Sequence, residues 1–365
     1  MSGINPVILI QLLMQYHNTR YDALPRTFTF NRNNRMRAHR ETPEEVTHRK
    51  SFLTAGQVDY AESAVRDLLK NSLKGKTGKV WVDRTMQNIA VPLNMSTAQS
   101  GFGVLPTGSR VDIPEGQFVR AFTYWEKVND IDLSCFALTK TGEKEEFSWR
   151  NMWGKQSEAI TFSGDQTSGY KGGSEYFDIN IDLFKAEHPD YRYIVVCDNV
   201  YSDVEFNKID CTAGFMIREG NLQNVPKWKG ESERNGRIVP SNRPIFDPKT
   251  VQTSFKITSD ATFAYLFAID LETRQMVWLN LSRADHQMVA GCTEMDFLLR
   301  FLTVTDVLNA YDLYSWAGEM QKSPISADIV VSDDMEIRKL FREDSDVEFI
   351  HSWDFEKMLT LLQPS

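Results

Sequence analysis

Between Asn129 and Leu183, oxygen-bearing side chains recur at short, regular spacing, and they define the chemistry this chain could perform. Asp130, Asp132 and Ser134 are two residues apart, so on a β-strand they share one face while Ile131, Leu133 and Cys135 take the other. Two positions along one face span roughly 6.5–7 Å, so the two aspartates share a cation only if a neighbouring loop contributes. The run Ser163-Gly164-Asp165-Gln166-Thr167-Ser168-Gly169 is such a loop. It offers a carboxylate, an amide carbonyl, hydroxyls, and glycines that free the backbone to turn its carbonyls inward. Donors made only of oxygen, without His or Cys, suit a hard cation, and Ca²⁺ takes roughly six to eight of them. The same residues also fit a half-buried strand with a wet polar face followed by a polar turn. Spacing alone leaves both readings open.

The order of these motifs carries a resemblance. A DxDxS run, then SGD-x-T-x-G, then an acid leading into a strand that ends in IDL is similar to the TerD family of tellurite-resistance and general stress proteins. Upstream, Leu105 to Trp125 (LPTGSRVDIPEGQFVRAFTYW) resembles the family's entry strands. Downstream, Tyr193 to Ile217 resembles its central strand, loop and following strand, and Thr303 to Glu319 resembles a helix of longer members. The resemblance spans Leu105 to Glu319, densely as far as Ile217 and loosely beyond. It implies a β-sandwich and a Ca²⁺ site in which Asp130, Asp132 and Asp165 take the carboxylate positions, with Glu175 at the acidic end of the loop. Gln166 stands where the family usually has Asn, and both offer a carbonyl oxygen. One departure matters. Where the family's loop continues with a run of acids, this chain has Tyr170-Lys171-Gly172-Gly173-Ser174. Lys171 places a positive charge where a ligand belongs, which opposes a cation. Complete family members imply two adjacent ions, whereas this chain is expected to keep one weakened site or none.

The elements that must position these residues are β-strands from Lys79 onward. Short strands are expected at KVWVD and NIAVPL, and a strictly alternating one at Gln117–Trp125. Others follow at Asp130–Leu138, Tyr176–Leu183, Arg192–Asp198, Ala213–Arg218, Val251–Thr258, Thr262–Ile269 and Gln275–Leu281. Many short strands at turn-rich intervals argue for a sandwich. Residues 219–250, with four prolines, read as a polar surface insertion. Helical periodicity returns at Thr293–Leu302 and Thr305–Trp316, followed by a strand at Ala327–Val331 and a helix near Asp354–Leu362. The expected fold is therefore mainly β: a TerD-like sandwich of two mostly antiparallel sheets over 78–320, with helices appended at both ends.

Residues 1–77 read as a helical, arginine-rich segment. A first helix runs from Pro6 to Tyr16. A second opens at Thr54 with Gln57 as a candidate capping box and carries Val58, Ala61, Val65, Leu68 and Leu69 on one face. Between them lie Arg20, Arg26, Arg32, Arg35, Arg37 and Arg40, which read as part of a solvated strand, with contact to RNA or a phosphate surface as the weaker alternative. Residues 321–365 carry ten acids against five basic residues and read as a solvated strand–helix extension.

Composition narrows the function classes. A net charge of −9 lacks the basic footprint of a nucleic-acid binder. Four scattered cysteines without a CxxC pair read as reduced core residues. The apolar run near the N-terminus is too short to span a bilayer and has no basic region before it, so a cytoplasmic location without a membrane is expected. The start at Met1-Ser-Gly is compatible with a fragment of a longer protein. Six dispersed histidines form no HExxH or Cys–His spacing, and GxGxxG, GxxxxGK[ST] and GxSxG are absent, so nothing reads as catalytic. Asp198, Asn199, Asp203 and Glu205 form a second acidic group, expected in a loop after the central strand. These features lead to a non-enzymatic calcium-binding sensor or adaptor with protein partners in a stress-response complex. A metal-free interaction scaffold with a decayed site is the alternative.

Overall fold

The structure, a computed structural model, describes residues 4–18, 27–32, 35–48, 53–92, 105–140, 142–152, 155, 157–170, 172–202, 204–218, 232–234, 237–239, 253–283 and 295–363. The chain divides into two compact units. One comprises Met1–Ser96, Leu105–Arg110 and Glu294–Ser365; the other comprises Thr97–Val104 and Val111–Thr293.

In chain order the elements begin with α1 (Pro6–Asn18), β1 (Thr27–Arg32), β2 (Arg35–Arg40), α2 (Pro43–His48), α3 (Ala55–Leu73) and β3 (Lys79–Val82). Next come β4 (Arg110–Asp112), β5 (Phe118–Glu126), β6 (Ile131–Thr139), β7 (Lys144–Phe147), β8 (Ile160–Phe162), β9 (Gly173–Ile179), α4 (Ile181–Glu187), β10 (Tyr191–Val200) and β11 (Asp210–Arg218). The middle closes with β12 (Ser232–Arg234), β13 (Arg237–Val239), β14 (Thr253–Lys256), β15 (Phe263–Asp270) and β16 (Gln275–Arg283). The C-terminal part holds α5 (Met295–Leu302), α6 (Val304–Val307), α7 (Ala310–Ala317), β17 (Glu319–Met320), β18 (Ile329–Val331), α8 (Met335–Arg338), β19 (Glu348–Ile350) and α9 (Phe355–Leu361).

The chain is mainly β. The larger unit holds a six-stranded sheet in the order β4-β16-β15-β10-β6-β7 and a five-stranded sheet in the order β14-β11-β5-β9-β8. The pairings from β16 to β7 and from β14 to β8 are antiparallel. β5, β6, β9, β10 and β15 are buried along nearly their whole length, on both faces. The wet polar face expected of β6 is therefore absent: Asp132 is 6% exposed and Ser134 3%.

The unit that contains both chain ends has a different architecture. Its sheet runs β17-β3-β18-β19, with every pair parallel. Numbered along the chain, that order is 2-1-3-4. Its core gathers Leu9, Ile10 and Leu13 of α1, Leu69 and Leu73 of α3, Val80 and Val82 of β3, Leu313 and Tyr314 of α7, and Met358 of α9. The capping box is present: Gln57 N–H donates to Thr54 Oγ1 at 3.3 Å and Thr54 N–H to Gln57 Oε1 at 2.8 Å. Val58, Val65, Leu69 and Leu73 are buried, whereas Leu68 stays exposed.

These facts correct several expectations. The boundaries 1–77, 78–320 and 321–365 do not hold, because β3 pairs with β17 and β18 of the C-terminal part, far away in sequence, and not with the antiparallel sheets. The ends of the chain are thus one α/β unit and not separate appendages. NIAVPL is no strand: Ala90 makes a single bridge to Asn309. The strand from Tyr176 stops at Ile179, since Asn180 caps α4 by accepting the Leu183 N–H at 3.1 Å. The helix expected at Thr305–Trp316 breaks at Leu308, and Asn309 caps α7 by accepting the Asp312 N–H at 2.9 Å. Of the polar insertion, only β12 and β13 fall within the described residues. Arg20 and Arg26 lie outside them, as do the side chains of Arg32, Arg35, Arg37 and Arg40 on the β1–β2 hairpin.

Candidate metal centre

Three loops of the larger unit meet at the start of β6. The loop before it carries Asp130, whose carbonyl accepts the N–H of Tyr201, just past β10, at 3.2 Å. The loop between β8 and β9 carries Asp165. Backbone bonds between Gly169 and Val128 (3.0 Å) and between Lys127 and Gly169 (3.1 Å) tie it to the first loop. Gly164 has φ 94°, a left-handed conformation that favours glycine, and it turns the chain into Asp165. Gly169 serves packing: a Cβ there would stand 2.1 Å from Nε1 of the buried Trp125. The glycines at 169 and 173 thus make room for the indole.

Asp130, Asp132 and Asp165 each offer a carboxylate oxygen, and these three atoms lie within 4.8 Å of one another. Oxygens bound to one ion at 2.3–2.6 Å are at most about 5 Å apart, so this triad could hold a metal ion. Asp132 is buried, and the other two are half-buried. Asp130 Oδ1 is buried with no hydrogen-bond partner among the described residues. Burial, then the charges of Asp132 and Asp165, push Asp130 up to about 8.

Glu175 is not among the carboxylates that lie within 4.8 Å of one another. Glu175, fully buried on β9, accepts the Leu133 N–H of β6 at 2.9 Å and the Gln166 N–H at 2.7 Å, one on each oxygen. It therefore positions the Asp165 loop against β6. Burial raises its pKa, and the charges of Asp165 and Asp132 add to that, while the two N–H donors oppose it. The Gln166 side chain donates to the Ser168 carbonyl at 3.1 Å. Lys171 lies outside the described residues.

The second acidic group also differs from expectation. Asp198 and Asn199 belong to β10 itself, because the pairing with β6 on one side and β15 on the other carries the strand through them. Asp198 is fully buried; burial pushes it up to about 8, the Thr123 hydroxyl pulls the other way, and Asp132 adds to the rise. Glu205 pairs with Lys208, and Asp203 lies outside the described residues. The sequence pattern places this group in a loop after the central strand, where it could complete the site from across the sandwich or form a solvated turn. The missed signal was the apolar run YIVVC, which continues past the polar pair into Val200.

A third gathering of acids lies in the other unit, at the carboxyl ends of β3, β18 and β19. Asp83 accepts the Thr85 N–H (2.9 Å) and the Ser332 hydroxyl (3.0 Å). Asp333 accepts the Ser352 N–H, Asp334 the Glu336 N–H and Asp354 the His351 N–H, each at 2.8 Å. Asp83 and Asp334 cap the short helices that follow them, Asp354 closes a turn with His351, and Asp333 ties the segment after β18 to the one after β19.

Comparison with family models, with curated proteins and with solved structures gives no match for this chain.

Proposed function

We propose that the larger unit is a TerD-like β-sandwich whose carboxylate triad binds Ca²⁺, and that the chain acts in the cytoplasm as a sensor or adaptor of a stress-response system without being an enzyme. The observation that carries this reading is the trio of carboxylate oxygens within 4.8 Å of one another. An all-oxygen, anionic donor set suits a hard cation, and the two loops that carry Asp130 and Asp165 beside the strand residue Asp132 give the adaptable geometry that Ca²⁺ accepts. The link between the two antiparallel sheets, Leu133 N–H to Glu175 at 2.9 Å, supports a face-to-face arrangement. Ion binding would relieve the repulsion among the acids and order the loops, leaving a surface for a protein partner to read. Among the described residues, no helix is long and apolar enough to cross a membrane.

One observation favours the metal-free scaffold as a second reading. With Asp130 pushed up to about 8, a proton can take the place of part of the cation's charge near neutral pH. Calorimetric titration of chelator-stripped protein with Ca²⁺ separates the two. The sensor reading expects saturable uptake near one ion per chain that Asp165→Asn removes; the scaffold reading expects no heat beyond dilution.

A further inference from the structure

We propose that Asn199 is a further member of the cation site, completing the ion's oxygen shell from the β10 side through a single water held between its amide and Asp132. The inference rests on the Ca²⁺ reading above and names a residue that the triad does not include.

Asn199 is the direct cross-strand partner of Asp132 in the antiparallel β10–β6 pair. Directly opposed residues present their side chains on the same face, with Cβ atoms roughly 4.5–5.5 Å apart. Asn199 is 2% exposed, and neither its Oδ1 nor its Nδ2 has a hydrogen-bond partner among the described residues. A buried amide with nothing to bond costs at least as much as a lost hydrogen bond, so a strand this well packed should not retain one without a use. The side chain lines a cavity of about 10 Å³ together with Asp132, Ser134 and Ser148. That is close to the smallest space that holds one water, which also needs two or more polar partners; the amide, the hydroxyls and Asp132 provide them.

The occupant is a water and not a second cation. Glu146 and Arg150 also line the cavity, but both Glu146 oxygens are taken up by the Arg150 guanidinium at 2.8 and 2.9 Å, so Glu146 is no free ligand for another ion. Three carboxylates give at most six oxygens, while Ca²⁺ takes roughly six to eight. A water oriented by a neutral amide adds a donor without adding charge to acids that already repel.

The test is Ca²⁺ titration of the full chain, with melting recorded in chelator for each variant. Asn199→Ala should raise Kd roughly tenfold, as loss of outer-shell partners does. Asn199→Leu, which fills the cavity and removes the buried amide, should raise Kd further without lowering the melting temperature in chelator. Asn199→Asp keeps an oxygen in place and should bind at least as tightly as wild type. A purely structural Asn199 would show the opposite pattern, with melting lowered in chelator and Kd unchanged; Kd within twofold of wild type for both Ala and Leu overturns the proposal. If Asp165→Asn abolishes uptake while Asn199→Ala leaves it intact, only the role of Asn199 falls. No saturable uptake by wild type overturns this proposal together with the Ca²⁺ reading.

Discussion

At the carboxyl edge of the parallel sheet, Asp83, Asp333, Asp334 and Asp354 each accept a backbone N–H. At the start of β6, Asp130, Asp132 and Asp165 instead turn carboxylate oxygens toward one another. Both are clusters of acids on loops beside a sheet, yet they do different work. The first set is committed to short helices, a turn and a link between two segments beside the sheet. The second gathers like charge in a half-buried place, and burial, then the charges of Asp132 and Asp165, push Asp130 up to about 8. Charge density alone therefore does not mark a site. What marks it is like charge brought together around Asp130, whose buried Oδ1 has no hydrogen-bond partner among the described residues.

The comparison breaks most readily at Glu175, which holds the second set in place. Glu175→Ala strips the acceptor from two N–H groups, Leu133 and Gln166, and should destabilise the chain by about 3 kcal/mol, since each buried group left unsatisfied costs about 1–3 kcal/mol. Urea unfolding measures this. Glu175→Gln, which keeps one carbonyl oxygen, should cost less than the alanine variant. Equal and negligible losses for both would remove the positioning role.

A pH series sharpens the contrast. A carboxyl whose pKa is higher in the folded state than unfolded holds its proton more tightly when folded, so stability falls as pH rises between the two values. Asp130 and Asp198 both move from 3.8 to about 8. In chelator, their contribution should therefore be fully present below pH 4 and lost progressively as pH climbs to 8. Ca²⁺ favours the ionised triad, so its apparent affinity should tighten by up to about tenfold per pH unit below 8 and level off above it. Affinity independent of pH between 6 and 8 would mean that Asp130 is not a ligand.

The smallest effect is expected from the capping acids. Asp83→Ala should cost about 1 kcal/mol, as loss of a cap does, and should leave the calcium response unchanged. A changed calcium midpoint in that variant would show that the two acid groups are not independent in function.

Much of this contrast was legible in the residues, and the physical reasons for the rest are specific. Alternation in QFVRAFTYW, and the apolar runs that became β6, β10 and β15, located the central strands to within a few residues. The DxDxS spacing together with Asp165 located the triad. The partners of β3 were not legible, because a four-residue apolar strand carries no record of whether it pairs with an adjacent hairpin or with a parallel strand some 250 residues away. Glu175 looked like a ligand because sequence shows a carboxylate but not which N–H groups it faces. Asn199 looked like loop because polarity inside a strand buried on both sides is indistinguishable, residue by residue, from a turn.

Binding of Ca²⁺ by the triad in the folded state is tested most directly by paired thermal unfolding. Wild type should melt higher in excess Ca²⁺ than in chelator, with about 2.7 kcal/mol of added stability at a hundredfold excess over Kd, a shift of roughly a few degrees. Asp165→Asn should lose most of that shift and melt slightly higher than wild type in chelator, because it removes one of the repelling charges. Identical melting of wild type in Ca²⁺ and in chelator would contradict the account and leave the triad as a proton-balanced remnant on a metal-free scaffold.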